Sequence, residues 1–333
     1  MRNSTLKVIS TGICAVYLAA AMSGCVVKNL GQTVQQTVKG DYFLQSDQAK
    51  RGRESFRVEV EQHPDSALAH YYYGRFLLQD KEEALALEHL VKARDLDPGK
   101  ADYHFWAGVA YGASGDLVRE ENNYRAALGL DKDHLQTLIY LGHNQLAQKK
   151  YPEALQLYQR AIDLWPSSPS ALYNRALILN QLGRTPEERI AWLDYLDRYP
   201  SGQNARRAAD YLNMAGDFSF RNHRLGSTIV TIEKIRFVPF TAIVDPASHA
   251  SLSLIGEVFQ DMKKGVLQIV VYQKNNKGLA KERAHAVKSF ISAEYPSIDT
   301  GRIGISWFAE PQHLTIGSEK ASLDESVLFF VTQ

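Results

Sequence analysis

Apolar and small residues return at a fixed interval through the first two thirds of the chain. Phe56, Leu90, Tyr124, Tyr158 and Trp192 are spaced by 34 residues. Gly40, Gly74, Gly108, Gly142 and Ala176 repeat with the same step, as do Ala93, Ala127 and Ala161, with Tyr195 in the final place. Pro64, Pro98, Pro166 and Pro200 fall at multiples of that interval, and Lys132 occupies the missing place. A period of this length marks stacked units, each covering its neighbour's apolar face. After Ala215-Gly216-Asp217 the period fails. Residues 228–237 alternate apolar and polar, which predicts a strand. Leu252, Leu254, Ile255, Val258, Phe259 and Met262 are spaced as on a helix over 247–264. A short apolar strand follows over 266–272. A second helix covers 281–295, with Ala284, Val287, Phe290 and Ile291 on one face, and strands cover 303–308 and 326–331. The order is β-α-β-α-β-β, an α+β arrangement.

The repeated part resembles the tetratricopeptide (TPR) family, in which each period is a helix–turn–helix. The glycine lets the two helices approach, the large apolar residue fills the space between them, and the proline ends the second helix. Four repeats read 67–100, 101–134, 135–168 and 169–202. A weaker one, 33–66, keeps Gly40, Phe43, Phe56 and Pro64. Residues 203–214 read as a capping helix, with Arg206, Arg207 and Asp210 facing water.

The resemblance implies a concave surface lined by the first helix of each repeat. Its fifth positions are Tyr71, Phe105, Ile139 and Tyr173, and its ninth are Arg75, Val109, His143 and Leu177. These are the candidate peptide groove. The fifth-position rings have two possible roles, lining the groove or packing between repeats. The sixth positions, Tyr72, Trp106, Tyr140 and Asn174, are assigned to packing. The lysine–asparagine–arginine set with which some members hold a C-terminal carboxylate is missing, so no carboxylate clamp is expected.

The N-terminus changes where such a chain works. Arg2 and Lys7 precede an apolar run from Val8 to Met22, then Met22-Ser23-Gly24-Cys25 and polar sequence. Basic start, apolar run and small-residue end make a secretory signal, too short for a comfortable membrane span. The ending resembles a bacterial lipobox, with methionine where leucine is common. The resemblance implies that residues 1–24 are removed and that Cys25 is acylated, typically with three chains such as palmitate, enough for permanent anchoring. Val26 after the cysteine favours the outer membrane. Residues 25–37 then form the lipidated cysteine and its tether, and the body faces the periplasm.

Composition adds exclusions. The net charge of +1 becomes −1 once Arg2 and Lys7 leave with the signal, so nothing points to nucleic acid. The two cysteines, Cys14 and Cys25, leave no disulfide framework or cysteine metal site in the body. No phosphate loop, Gly-x-Ser-x-Gly or His-Glu-x-x-His occurs. His70 and His104 share a repeat position but are read as ordinary helix histidines. Asp194, Asp197, Glu187 and Glu188 are read as solvated helix faces. No catalytic residue, metal or cofactor is expected.

The last hundred residues resemble the OmpA-like domain family in degraded form. The matching pieces are Ile235-Arg236-Phe237 with Asp245-Pro246-Ala247-Ser248, then 267–271, 279–287 and Trp307-Phe308-Ala309-Glu310-Pro311. In that family an aspartate after the middle strand and an arginine on the next helix bind the diaminopimelate of peptidoglycan. Arg283 keeps the arginine place. The aspartate segment reads Tyr272-Gln273-Lys274-Asn275, and the family's late Asn-Arg-Arg turn reads Asp324-Glu325-Ser326. Arg283 is thus the candidate peptidoglycan contact, or else pairs with Glu310 or stays solvated.

The expected architecture is an N-terminal all-α TPR solenoid, about five helix-turn-helix repeats plus a capping helix over 38–216, then a small α+β OmpA-like domain over 225–333. The expected function is a non-enzymatic envelope scaffold that binds a protein or peptide through its groove. The alternative is a tether from the outer membrane to peptidoglycan, and an envelope enzyme ranks third.

Overall fold

The computed structural model describes residues 33–46, 48–316 and 319–332. The expected signal, residues 1–24, and Cys25 lie outside the described residues. The chain divides into two compact units, with the boundary after Lys150. That boundary falls inside the repeats, whereas the sequence changes character near residues 216–225. Among the described residues no helix is long and apolar enough to cross a membrane.

The first unit holds helices α1 (33–45), α2 (Ala49–Gln62), α3 (Ala67–Gln79), α4 (Glu83–Leu96), α5 (Ala101–Ala113), α6 (Leu117–Leu130) and α7 (Leu135–Ala147). Residues 33–37, the last part of the expected tether, are helical. Three of these helices, α3, α6 and α7, start where a side chain accepts from a free backbone amide. Ser66 accepts from the Ala69 amide and Asp116 from the Arg119 amide. The first helix of a pair stops in a left-handed turn. Gly115 has φ +81° in the turn after α5, where the Asp116 amide donates to Tyr111 O at 2.9 Å. The same turn recurs every 34 residues, at Lys81, Lys149 and Gly183. At two of the four places a lysine takes a conformation that favours glycine, which is why composition alone did not reveal the turn.

The repeat glycines act through close approach. A Cβ on Gly108 would lie 2.5 Å from Tyr124 Cε1, and one on Gly74 2.5 Å from Leu90 Cγ. Leu90, Tyr124, Ala93 and Ala127 are fully buried. The repeated large residue on the second helix of each pair thus fills the space that the glycine leaves.

The second unit holds α8 (Tyr151–Leu164), α9 (Pro169–Gln181), α10 (Thr185–Arg198) and α11 (Gly202–Met214), then the strand-containing part. Trp192 on α10 is fully buried and stacks on Tyr211 of α11 at 5.2 Å. Helix α11 is the expected cap, but its polar face is partly covered. Asn222 donates to Arg206 O and to Asp210 Oδ1 at 2.9 and 2.8 Å, and Asn213 donates to Phe220 O at 2.7 Å.

Those contacts come from a hairpin of β1 (Phe220–Leu225) and β2 (Thr228–Glu233), joined by Gly226-Ser227. Gly226 has φ +60°, as a type II′ turn requires at its first central residue. The expected strand over 228–237 therefore stops at Glu233, and its partner, polar in composition, had no strand signature. A 3₁₀ turn (Pro246–Ser248) leads into α12 (His249–Gln260). Then come β3 (Val266–Gln273), α13 (Lys277–Glu294), a 3₁₀ turn (Thr300–Arg302), β4 (Ile303–Phe308), β5 (Gln312–Ile316), β6 (Glu319–Leu323) and β7 (Glu325–Thr332). The sheet order is β4-β3-β7, with β3 parallel to β4 and antiparallel to β7. The β5–β6 hairpin was not expected. Leu267, Ile269 and Val271 of β3, Ala284, Val287 and Ile291 of α13, and Leu252, Ile255 and Phe259 of α12 share one core. Alternate strand residues and every third or fourth helix residue supply it.

Candidate functional site

In the first unit, helices α3, α5 and α7 carry a connected run of rings and one cation. The Arg75 guanidinium lies 4.3 Å from the Trp106 ring and 5.1 Å from the Tyr71 ring. Trp106 meets Phe105 edge-on at 5.4 Å, Phe105 meets Tyr140 at 5.2 Å, and Tyr140 lies 5.8 Å from His143. Arg75, Trp106, Val109 and His143 are half-buried, and Tyr140 is 41% exposed. Burial lowers the His143 pKa, so the ring is neutral near pH 7. Among the described residues Arg75 joins no ion pair. Its Nη1 donates to Tyr71 Oη at 2.9 Å, and its buried Nε has no hydrogen-bond partner. A cation held on aromatic faces with no carboxylate partner is available to an acidic group from outside.

The fifth-position rings of this unit go to packing. Tyr71 and Phe105 are buried. Tyr71 sits 4.9 Å from both Tyr72 and Tyr103, and burial pushes its phenol up to about 12. Phe105 stacks on Tyr124 at 5.8 Å. The sixth positions, expected to pack, divide instead. Tyr72 is buried and donates to Asp41 at 2.8 Å, while Trp106 and Tyr140 reach the surface. Positions five and six differ by one 100° step on a helix, too little for a period to separate inside from outside. Ile139 is half-buried. In the second unit Tyr173 packs edge-on against Trp192 and Tyr195, and Leu177 is half-buried.

Other candidates resolve into structure. His70 Nε2 donates to Pro64 O and His104 Nε2 to Pro98 O, each at 2.9 Å. The shared position thus pins the preceding repeat's proline turn. His70 Nδ1 then accepts from His89 Nδ1 at 2.8 Å. Among the described residues no cluster of three or more metal-ligating side chains forms. Glu188, expected on a solvated face, is 4% exposed and accepts from Asn180 at 2.9 Å and Trp192 Nε1 at 3.1 Å. Its place in the repeat is buried in every unit, held by Ala86, Glu120 and Ala154 in the others, so burial demands those donors. Asp194 pairs with Arg175 and Arg198.

Arg283, on α13, is 2% exposed. It pairs with Glu325 Oε2 at 2.5 Å, not with Glu310, and Nε donates to Thr241 O at 2.9 Å. It also donates to Gln273 and lies 4.4 Å from the Phe237 ring. Its charge is answered within the fold.

The tetratricopeptide repeat family model matches residues 37–101 and 141–203. These segments are tetratricopeptide repeats. The photosystem I assembly protein Ycf3 of Synechococcus sp. (strain CC9311) is 28% identical over 148 residues, 43% of this chain and 86% of that protein. Ycf3 of Prochlorococcus marinus (strain MIT 9303) is 30% identical over 114 residues, 33% of this chain and 66% of that protein. The solved structure of Pseudomonas aeruginosa pilF is 18% identical, covers 55% of this chain and 84% of that one, and superposes with a TM-score of 0.51. That likeness is one of fold. Proteins built from such repeats serve as protein-interaction scaffolds.

Proposed function

We propose that this chain is a non-enzymatic lipoprotein of the bacterial envelope whose repeats hold another envelope protein or peptide. Acylated Cys25 anchors it to the outer membrane, facing the periplasm. The observation that carries the binding role is the run from Arg75 through Trp106 and Tyr140 to His143. It joins aromatic area to an unpaired guanidinium, the two features most common at binding hot spots. The partner segment it fits has apolar or aromatic anchors and an acidic group opposite Arg75. Similarity to proteins named for assembly supports a holding role over catalysis.

The OmpA-like resemblance gives the C-terminal part an envelope contact. The pairing of Arg283 with Glu325 supports a structural role for that arginine, so the wall-tether reading ranks second. The test is in-cell photocrosslinking from positions 106 and 140, followed by mass spectrometry. A defined partner that the Arg75→Ala/Trp106→Ala/Tyr140→Ala variant loses, with the helical signal intact, is the expected result. An unchanged partner set would overturn the reading. Labelled palmitate should enter the wild type and not Cys25→Ser, and label in both would remove the anchor.

A further inference from the structure

A second cation is withdrawn from water in the strand-containing part, and there a cavity adjoins it. The cavity has a volume of about 260 Å³ and lies among β1, β2 and the start of β7. Arg221 and His223 are two residues apart on β1, so both side chains leave the same face of the strand. Both line the cavity.

The charge there has no counterpart. Arg221 forms no ion pair among the described residues, and Nη1 donates to the neutral Gln312 Oε1 at 2.8 Å. The same oxygen accepts from Ser326 Oγ at 2.8 Å, and Gln312 and Ser326 are buried. Burial lowers the Arg221 pKa, the mark of a guanidinium that has lost water without gaining an acid. The acids around the cavity are engaged. Glu233 is 2.7 Å from Arg236. Glu325 holds Arg283 at 2.5 Å and lies 4.0 Å from Lys234, another lining residue.

His223 supplies a neutral donor. It is 3% exposed, and its Nδ1 accepts from the Phe329 amide at 3.2 Å. The proton of the neutral ring is therefore on Nε2. Phe218, Ile232, Ile235, Leu323 and Val327 supply apolar wall, and Ser219 and Glu233 complete the lining.

We propose that this cavity binds a small organic carboxylate, with Arg221 as its counter-ion and the apolar walls around its body. A carboxylate matches the planar fork of a guanidinium. A phosphate dianion carries more charge than mostly apolar walls with Glu233 among them accommodate. The volume lies below the roughly 300 Å³ at which small-molecule pockets usually begin, so the ligand is short. A free acid and the C-terminal residue of a peptide share this chemistry.

The intact chain is titrated with butyrate, N-acetylalanine, 1-butanol and inorganic phosphate, followed by NMR. Saturable binding of butyrate or N-acetylalanine is expected, with 1-butanol and phosphate at least tenfold weaker. Tighter N-acetylalanine assigns the site to a peptide terminus, and tighter butyrate assigns it to a free acid. Arg221→Gln should weaken the carboxylates at least tenfold. If that variant does not fold, Gln312→Glu decides, because it supplies an internal carboxylate. It should raise Tm and abolish butyrate and N-acetylalanine binding. No saturable carboxylate binding, phosphate binding as tight as the carboxylates, or undiminished binding in the variants would overturn the assignment.

Discussion

Arg75 in the repeats and Arg283 in the strand-containing part are both drawn out of water, and each lies on an aromatic face. Arg75 is 4.3 Å from Trp106, and Arg283 is 4.4 Å from Phe237. They differ in what answers the charge. Arg283 has Glu325, Gln273 and the Thr241 carbonyl. Arg75 has a tyrosine hydroxyl and, among the described residues, no ion pair. A buried charge must be paired within the fold, but a half-buried one on rings can keep part of its hydration until a partner brings an acid. One arginine therefore holds the fold together, and the other remains available for binding.

The difference can be broken most forcefully at Glu325. Glu325→Ala leaves Arg283 buried and unpaired. It should cost about 3 kcal/mol, the low end for a broken buried pair because Glu325 is a third exposed. Denaturant unfolding measures it, and a loss under 1 kcal/mol would mean that Arg283 is as uncommitted as Arg75.

Acid should act on the strand-containing part next. Burial, with Arg221 beside it, pushes His223 down to about 3, against roughly 6.5 when unfolded. The unfolded ring binds the proton more readily. The stabilisation is thus complete above about pH 6.5 and is lost as pH falls toward 3. At pH 4.5 the loss is between about 2 and 3 kcal/mol. His223→Gln keeps an acceptor but does not titrate, so its stability should fall less between pH 7 and 4.5. Parallel curves would remove the histidine from the account.

Gly108→Ala tests the close approach within the repeats. A Cβ 2.5 Å from the Tyr124 ring should cost about 2 kcal/mol of overpacking. The paired change Gly108→Ala/Tyr124→Leu should recover part of it, and no recovery would place the strain elsewhere. Arg75→Ala should have the smallest effect on stability, about 1 kcal/mol, because it removes ring contacts and one hydrogen bond to a tyrosine hydroxyl and breaks no ion pair. Its effect should appear in partner capture. A loss of stability as large as that of Glu325→Ala would end the contrast.

The repeats were legible because every unit sees the same neighbours, so each structural demand recurs after 34 residues. Gly74 and Gly108 on one helix and Leu90 and Tyr124 on the next announce the close approach repeatedly. The left-handed turns at Lys81 and Lys149 were missed, since lysine gives no sign of positive φ. In the strand-containing part each demand occurs once. Phe-Arg-Asn-His-Arg-Leu forms β1 because β2 returns across Gly226-Ser227, and the clue was that turn, not the strand. The division between fifth and sixth helix positions was hidden for a similar reason.

The sequence by itself determined where the helix pairs begin and end, which residues fill them, and where the repeats stop. Those are consequences of local spacing repeated many times. Only the tertiary structure decided which charges are answered. It paired Arg283 with Glu325 across 42 positions of chain, buried Glu188 between Asn180 and Trp192, and left Arg75 and Arg221 without an ion pair among the described residues. Whether a charge finds a partner depends on atoms that folding brings together from distant places, and no local pattern records that.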